Sequence, residues 1–169
     1  YYVGVSGYGN SSYNPTAGSG TTAGSTGPYI VSFVQTAPPY EPNDSLDQAT
    51  QVVLASNAGS FDAAIGDGGY GSSDVDLFGI QLITGQQLTL GVSASGAGSS
   101  FDSFLRLFDA TGQQLATNDD AGGSSNSSLM YTATADATVF VGVSGSGNSV
   151  YSPLTAGSGT AGSTGTYRL

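Results

Sequence analysis

Residues Phe101-Asp102-Ser103-Phe104-Leu105-Arg106-Leu107-Phe108-Asp109-Ala110-Thr111-Gly112-Gln113-Gln114-Leu115-Ala116 read as strand, turn, strand. Phe104 to Phe108 is apolar on both parities apart from Arg106, the pattern of a central strand covered on both faces. Ala110-Thr111-Gly112-Gln113 turns the chain back toward Gln114-Leu115-Ala116. The same alternation recurs on either side. Asp76, Phe78, Ile80 and Leu82 share one parity, Thr84-Gly85-Gln86 turns, and Leu88, Leu90 and Val92 line one face of the next strand. Leu129, Tyr131 and Ala133 follow, then Val139, Val141 and Val143, then a terminal strand at Thr166–Leu169. About eight short strands broken by Gly-rich turns predict an all-β, antiparallel β-sandwich of jelly-roll type. Helix is expected only as a turn within Asn43 to Ala55, capped by Asn43 or Asp44.

Composition narrows the chemistry. Twelve acids face two arginines, Arg106 and Arg168, for a net charge of −10, and the chain contains no His, Cys or Trp and no Lys. No Ser-His-Asp or Cys-His triad, Schiff-base lysine, or imidazole or thiolate zinc site can be assembled from these residues. Two arginines are no footprint for nucleic acid, and no apolar run approaches the length of a membrane helix. Twelve acids offer many carboxylate pairs for glycoside hydrolysis, yet the single Glu lies beside prolines in a linker and no Trp offers a sugar platform, which argues against a glycosidase. The ten Tyr could form a polysaccharide- or protein-binding surface, but Tyr8, Tyr13, Tyr151 and Tyr167 lie in or beside strands, where core or sheet-edge packing is expected. The opening Tyr1-Tyr2-Val3 has no signal-peptide pattern, as expected of a mature or excised piece. The acid excess and the absence of lysine place the chain outside the cell or on its surface.

The chain repeats itself. Tyr2-Val3-Gly4-Val5-Ser6-Gly7-Tyr8-Gly9-Asn10-Ser11 returns as Phe140-Val141-Gly142-Val143-Ser144-Gly145-Ser146-Gly147-Asn148-Ser149, an offset of 138. Tyr13 and Pro15 return as Tyr151 and Pro153. After a one-residue slip and its compensation, Gly24-Ser25-Thr26-Gly27 returns as Gly162-Ser163-Thr164-Gly165. Residues 1–36 therefore read as the last hairpin of one unit, with strands near Tyr1–Ser6 and Pro28–Phe33, and 41–169 as a nearly complete second unit. The proline-rich stretch 37–44 is a stiff connector between them. A lone hairpin is marginal in water, so 1–36 is expected to dock on the second unit or on another chain. The expected partners are neighbouring copies of the same repeat or chain, and head-to-tail use of such a contact builds a linear assembly.

The order of motifs resembles a known family. Glu41-Pro42-Asn43-Asp44 is followed by Asp74-Val75-Asp76-Leu77-Phe78, then Thr84 to Leu90, the Phe101 to Ala116 stretch, Asn118 to Gly123, Thr138 to Gly145 and a closing Gly165 to Leu169. In this order they are similar to the bacterial pre-peptidase C-terminal domain, found beside secreted peptidases and in tandem in large surface proteins. A long connection, Ser149 to Ser163, separates the last two strands. The resemblance implies a calcium site built from Glu41, Asn43, Asp44 and Asp76. Asp74 is expected to point to the opposite strand face and to reach the site through the preceding loop. Where members carry a further acid this chain has Ser72-Ser73, with Asp67 the available substitute. Independently of the resemblance, acids on loops suit calcium, which takes six to eight oxygen ligands; Asp119 and Asp120 form a weaker second candidate. The function expected is a non-catalytic, calcium-stabilised repeat of an extracellular structural or adhesive protein. The alternative is an accessory domain of a secreted peptidase or other hydrolase.

Overall fold

The computed structural model describes residues 5–10, 14, 17, 19, 22–28, 40–54, 58–95 and 99–169. The chain divides into two compact units, Tyr1–Val34 and Gln35–Leu169. Most of the two strands read within 1–36, together with Tyr13 and the prolines before Tyr40, lies outside the described residues. In the first unit, Asn14 and Ser19 form an antiparallel bridge. Tyr8 is 94% exposed at the tip of a tight turn, which corrects the expectation that it packs.

The second unit is an all-β sandwich. Its strands are β1 (Thr50–Val52), β2 (Asp62–Ile65), β3 (Val75–Leu82), β4 (Gln87–Gly91), β5 (Ser93–Ala94), β6 (Ser103–Phe108), β7 (Gln114–Asn118), β8 (Ser128–Thr132), β9 (Ala137–Gly145) and β10 (Gly165–Arg168). One layer is a five-stranded sheet ordered β1-β3-β9-β6-β7; facing it are β2-β10-β5 and β4-β8. β3 and β9 run antiparallel from Val75 opposite Ser144 to Leu82 opposite Ala137. β6 lies inside the sheet between β9 and β7, as its apolar character on both parities requires.

Alternation decides what each face buries. Phe78, Ile80 and Leu82 of β3, Leu105 and Leu107 of β6, and Val139, Val141 and Val143 of β9 point into the main core. Across from them lie Ala63, Ile65, Leu88, Leu90, Phe101 and Tyr167. Each such side chain contributes about 1.5–3 kcal/mol on leaving water. The other face of the sheet carries a smaller cluster of Val75, Leu77 and Phe108 under Tyr151. Tyr151 comes from the long β9–β10 connection, which therefore covers the outer face. Gly142 makes room for it: a Cβ there would lie 2.1 Å from the Tyr151 hydroxyl oxygen. Arg106 holds the connection down, its guanidinium 4.5 Å from the Tyr151 ring centre and 4.6 Å from that of Phe108. Its Nη1 also donates to the Tyr151 carbonyl at 2.7 Å.

The helical turn expected within Asn43 to Ala55 is not formed among the described residues. One turn closes, Gln48 N–H to the Ser45 carbonyl at 3.0 Å, and the chain then leaves for β1. The Leu46 N–H goes instead to the Pro153 carbonyl at 2.8 Å. Thr50–Val52 is recruited to β3 in a parallel pairing, with Thr50 opposite Phe78, so the sheet is mixed rather than wholly antiparallel. Tertiary pairing with a long strand outweighs the local capping signal.

Candidate metal centre

The site lies at the start of β3. Gly71–Ser73 makes one turn of 3-10 helix, and Asp74 follows in extended conformation, with its N–H bonded to the Gly71 carbonyl at 3.1 Å. Asp74 is fully buried and Asp76 nearly so. The segment Tyr40–Ser45 is fixed beside them by the Leu77 N–H, which donates to the Asn43 carbonyl at 2.9 Å. The Asp67 loop closes the third side, where the Gly66 N–H donates to Asp74 Oδ2 at 2.6 Å. From the back, the Asn148 Nδ2 donates to the Asp74 carbonyl at 3.1 Å.

These segments bring one carboxylate oxygen each from Glu41, Asp67, Asp74 and Asp76 within 4.8 Å of one another. Asp74 does not point away from the site, contrary to expectation: it is two residues from Asp76, and residues so spaced share a face. Asp67 joins through a loop return. Asn43 and Asp44 are buried in the same corner. One oxygen each of Glu41, Asp44 and Asp74, and both polar side-chain atoms of Asn43, are buried with no hydrogen-bond partner. Gly68 leaves room for the Glu41 carboxylate where it stands, since a Cβ would lie 2.9 Å from Glu41 Oε1 and move that side chain.

No cation among the described residues compensates this charge. Arg168 pairs with Asp62 at 2.7 Å, and Arg106 is held by Gln114, Phe108 and Tyr151. Burial, then the charges of Asp74, Asp44 and Asp67, lifts the Glu41 carboxyl to about 7. Burial and the adjacent Asp74 carboxylate lift Asp44 to about 7 as well. Burial drives Asp76 well above the usual carboxylate range; the Tyr167 hydroxyl, which donates to Asp76 Oδ2, opposes the shift, and Asp74 and Glu41 reinforce it. Asp67 is raised by burial and by Asp74. A corner that disfavours the charges of Glu41, Asp44, Asp67 and Asp76 is suited to hold an added positive one.

The second candidate is different. Asp119 and Asp120, after β7, meet Asp102, just before β6. The sequence reading missed Asp102, although the β6–β7 ladder, with Leu105 opposite Asn118, sets the start of one strand beside the end of the other. Asp102 is raised by partial desolvation and by its two acidic neighbours. None of the three is buried as a whole, but one oxygen each of Asp102 and Asp119 is buried with no hydrogen-bond partner.

No protein-family model matches the chain, and no curated protein matches it. Among solved structures it is similar in fold to the pre-peptidase C-terminal domain of a collagenase from Bacillus anthracis. That likeness spans 72% of this chain and 91% of the other, at 11% identity and a TM-score of 0.48. No helix among the described residues is long and apolar enough to cross a membrane.

Proposed function

We propose that residues 35–169 are a non-catalytic β-sandwich module, stabilised by calcium, of an extracellular protein built from repeats of this fold for a structural or adhesive role. One observation carries the calcium reading: four carboxylates from three segments converge in a partly buried corner that also holds Asn43 and Asp44, with orphaned oxygens and no neighbouring cation. Glu41, Asp67, Asp74 and Asp76 supply four converging hard oxygen donors, and the Asn43 and Asp44 oxygens buried beside them would add to these toward the six to eight that calcium takes. Magnesium, which demands tight octahedral geometry and keeps its waters, is less well served by such a crowded, multi-segment set. The internal repeat and the acidic, lysine-free composition support the extracellular repeat reading.

The ion would act as a structural clamp. Glu41–Asp44 precedes the first strand, Asp74–Asp76 opens the longest sheet pairing, and Asp67 belongs to the loop between them. A cation held by all three fixes the start of the sandwich and removes the mutual repulsion of the acids. Ligand linkage then raises the melting midpoint: about 2.7 kcal/mol at a hundredfold excess over Kd, or roughly 10 °C for a domain of this size. Thermal melts in chelator and in millimolar calcium test this. Identical midpoints would overturn the calcium reading.

A further inference from the structure

We infer that residues 5–28 are the closing hairpin of a second sandwich of this fold, seated there as residues 143–166 are seated in residues 35–169. This deepens the repeat part of the proposed function and is independent of its calcium part. The two segments share their internal geometry as well as their sequence. The Asn10 N–H donates to the Gly7 carbonyl at 3.0 Å and the Asn148 N–H to the Gly145 carbonyl at 2.9 Å. Ser25 N–H to the Tyr8 carbonyl, at 3.0 Å, matches Ser163 N–H to the Ser146 carbonyl, at 2.9 Å. The Thr22 hydroxyl reaches the Gly9 carbonyl at 2.8 Å and the Thr160 hydroxyl the Gly147 carbonyl at 2.9 Å. Gly9 and Gly147 both turn through positive φ, 97° and 99°. A Cβ on Gly7 would lie 1.9 Å from the Ser25 carbonyl oxygen, and one on Gly145 would lie 1.8 Å from that of Ser163.

What differs is the use of the asparagine. Asn148 is fully buried; its Nδ2 grips the Asp74 carbonyl and its Oδ1 accepts from the Thr160 N–H at 2.9 Å. Asn10 is half-buried, its Oδ1 meets the Thr22 hydroxyl at 3.4 Å, and no described residue accepts from its Nδ2. The Asp74 carbonyl of residues 35–169 is already held by Asn148. The matching acceptor for Asn10 is therefore the start of the corresponding strand in another sandwich, and the partner is a second copy of this fold.

Two measurements in chelator test the assignment. In the 1–169 chain, Asn148→Ala is expected to lower the main melting midpoint by roughly 5–10 °C, and Asn10→Ala to leave it unchanged. In a chimera in which residues 1–34 replace 139–169 after residue 138, a cooperative transition is expected, and Asn10→Ala should now lower its midpoint as Asn148→Ala does in the natural chain. A chimera without a cooperative transition overturns the inference. So does a lowered midpoint for Asn10→Ala in the natural chain, which would mean that the hairpin docks on its own neighbour. A missing calcium shift would touch neither result.

Discussion

The two acidic groups contain similar side chains and differ mainly in their access to water. Glu41, Asp67, Asp74 and Asp76 converge from three segments that β3 and its neighbours lock together, with Asp74 and Asp76 buried. Asp102, Asp119 and Asp120 meet at the end of the β6–β7 hairpin, where none of the three is buried as a whole although one oxygen each of Asp102 and Asp119 is enclosed without a hydrogen-bond partner. Water screens the second group more than the first, whose buried Asp74 and Asp76 must find another source of positive charge or hold protons. Acidic residues alone therefore say little; what separates a candidate cation site from a solvated surface is whether the fold has removed the water.

The largest difference should appear in Asp76→Asn. In chelator above neutral pH this change removes a buried, repelled carboxylate and is expected to stabilise the second unit by roughly 1–3 kcal/mol. In calcium it removes a ligand and should destabilise, so its effect changes sign between the two melts. Asp102→Asn should shift neither midpoint measurably. Equal effects at the two positions would erase the distinction.

The next effect is on pH dependence. Glu41 and Asp44 are held near 7, and Asp67 and Asp76 are also raised, so the folded chain keeps protons that the unfolded chain releases above the ordinary carboxylate range. Stability in chelator is therefore full at about pH 4 and falls as pH rises through about 7. Calcium, by replacing those protons, should flatten the curve. Melting midpoints measured across that window with and without calcium check it; parallel curves would contradict the coupling.

Smaller still is Gly68→Ala, whose Cβ pushes the Glu41 carboxylate aside. It should reduce the calcium-induced rise in midpoint while leaving the chelator midpoint nearly untouched. The smallest expected effect is that of Asp119→Asn, which should leave both melts unchanged. A lost calcium response there would move the site to the hairpin end.

The long strands were legible because alternation needs only five or six residues to declare itself: β3, β4, β6, β8 and β9 follow from Phe78, Leu88, Leu105, Leu129 and Val141 and their neighbours at every second position. β1, β2 and β5 have two to four residues each, too few for a period, and form where a neighbouring strand offers them partners. The same limit shaped the reading of the site. Asp76 and Glu41–Asp44 stand out by motif, whereas Asp67 is drawn in by a loop whose path depends on Gly66 and on the Asp74 carboxylate that its N–H meets. Asp102 needed the hairpin register to be carried two residues further.

Both arginines are engaged within residues 35–169: one lies against two aromatic rings and the other is neutralised by Asp62. Every other ionised side chain of the chain is an acid. The module therefore meets its neighbours as a polyanion of a single sign. Two such bodies repel one another only within about 10 Å at 0.1 M salt, and the range contracts as ionic strength rises. Crowded copies would keep their distance in dilute media and close up in brine, without the change of any residue.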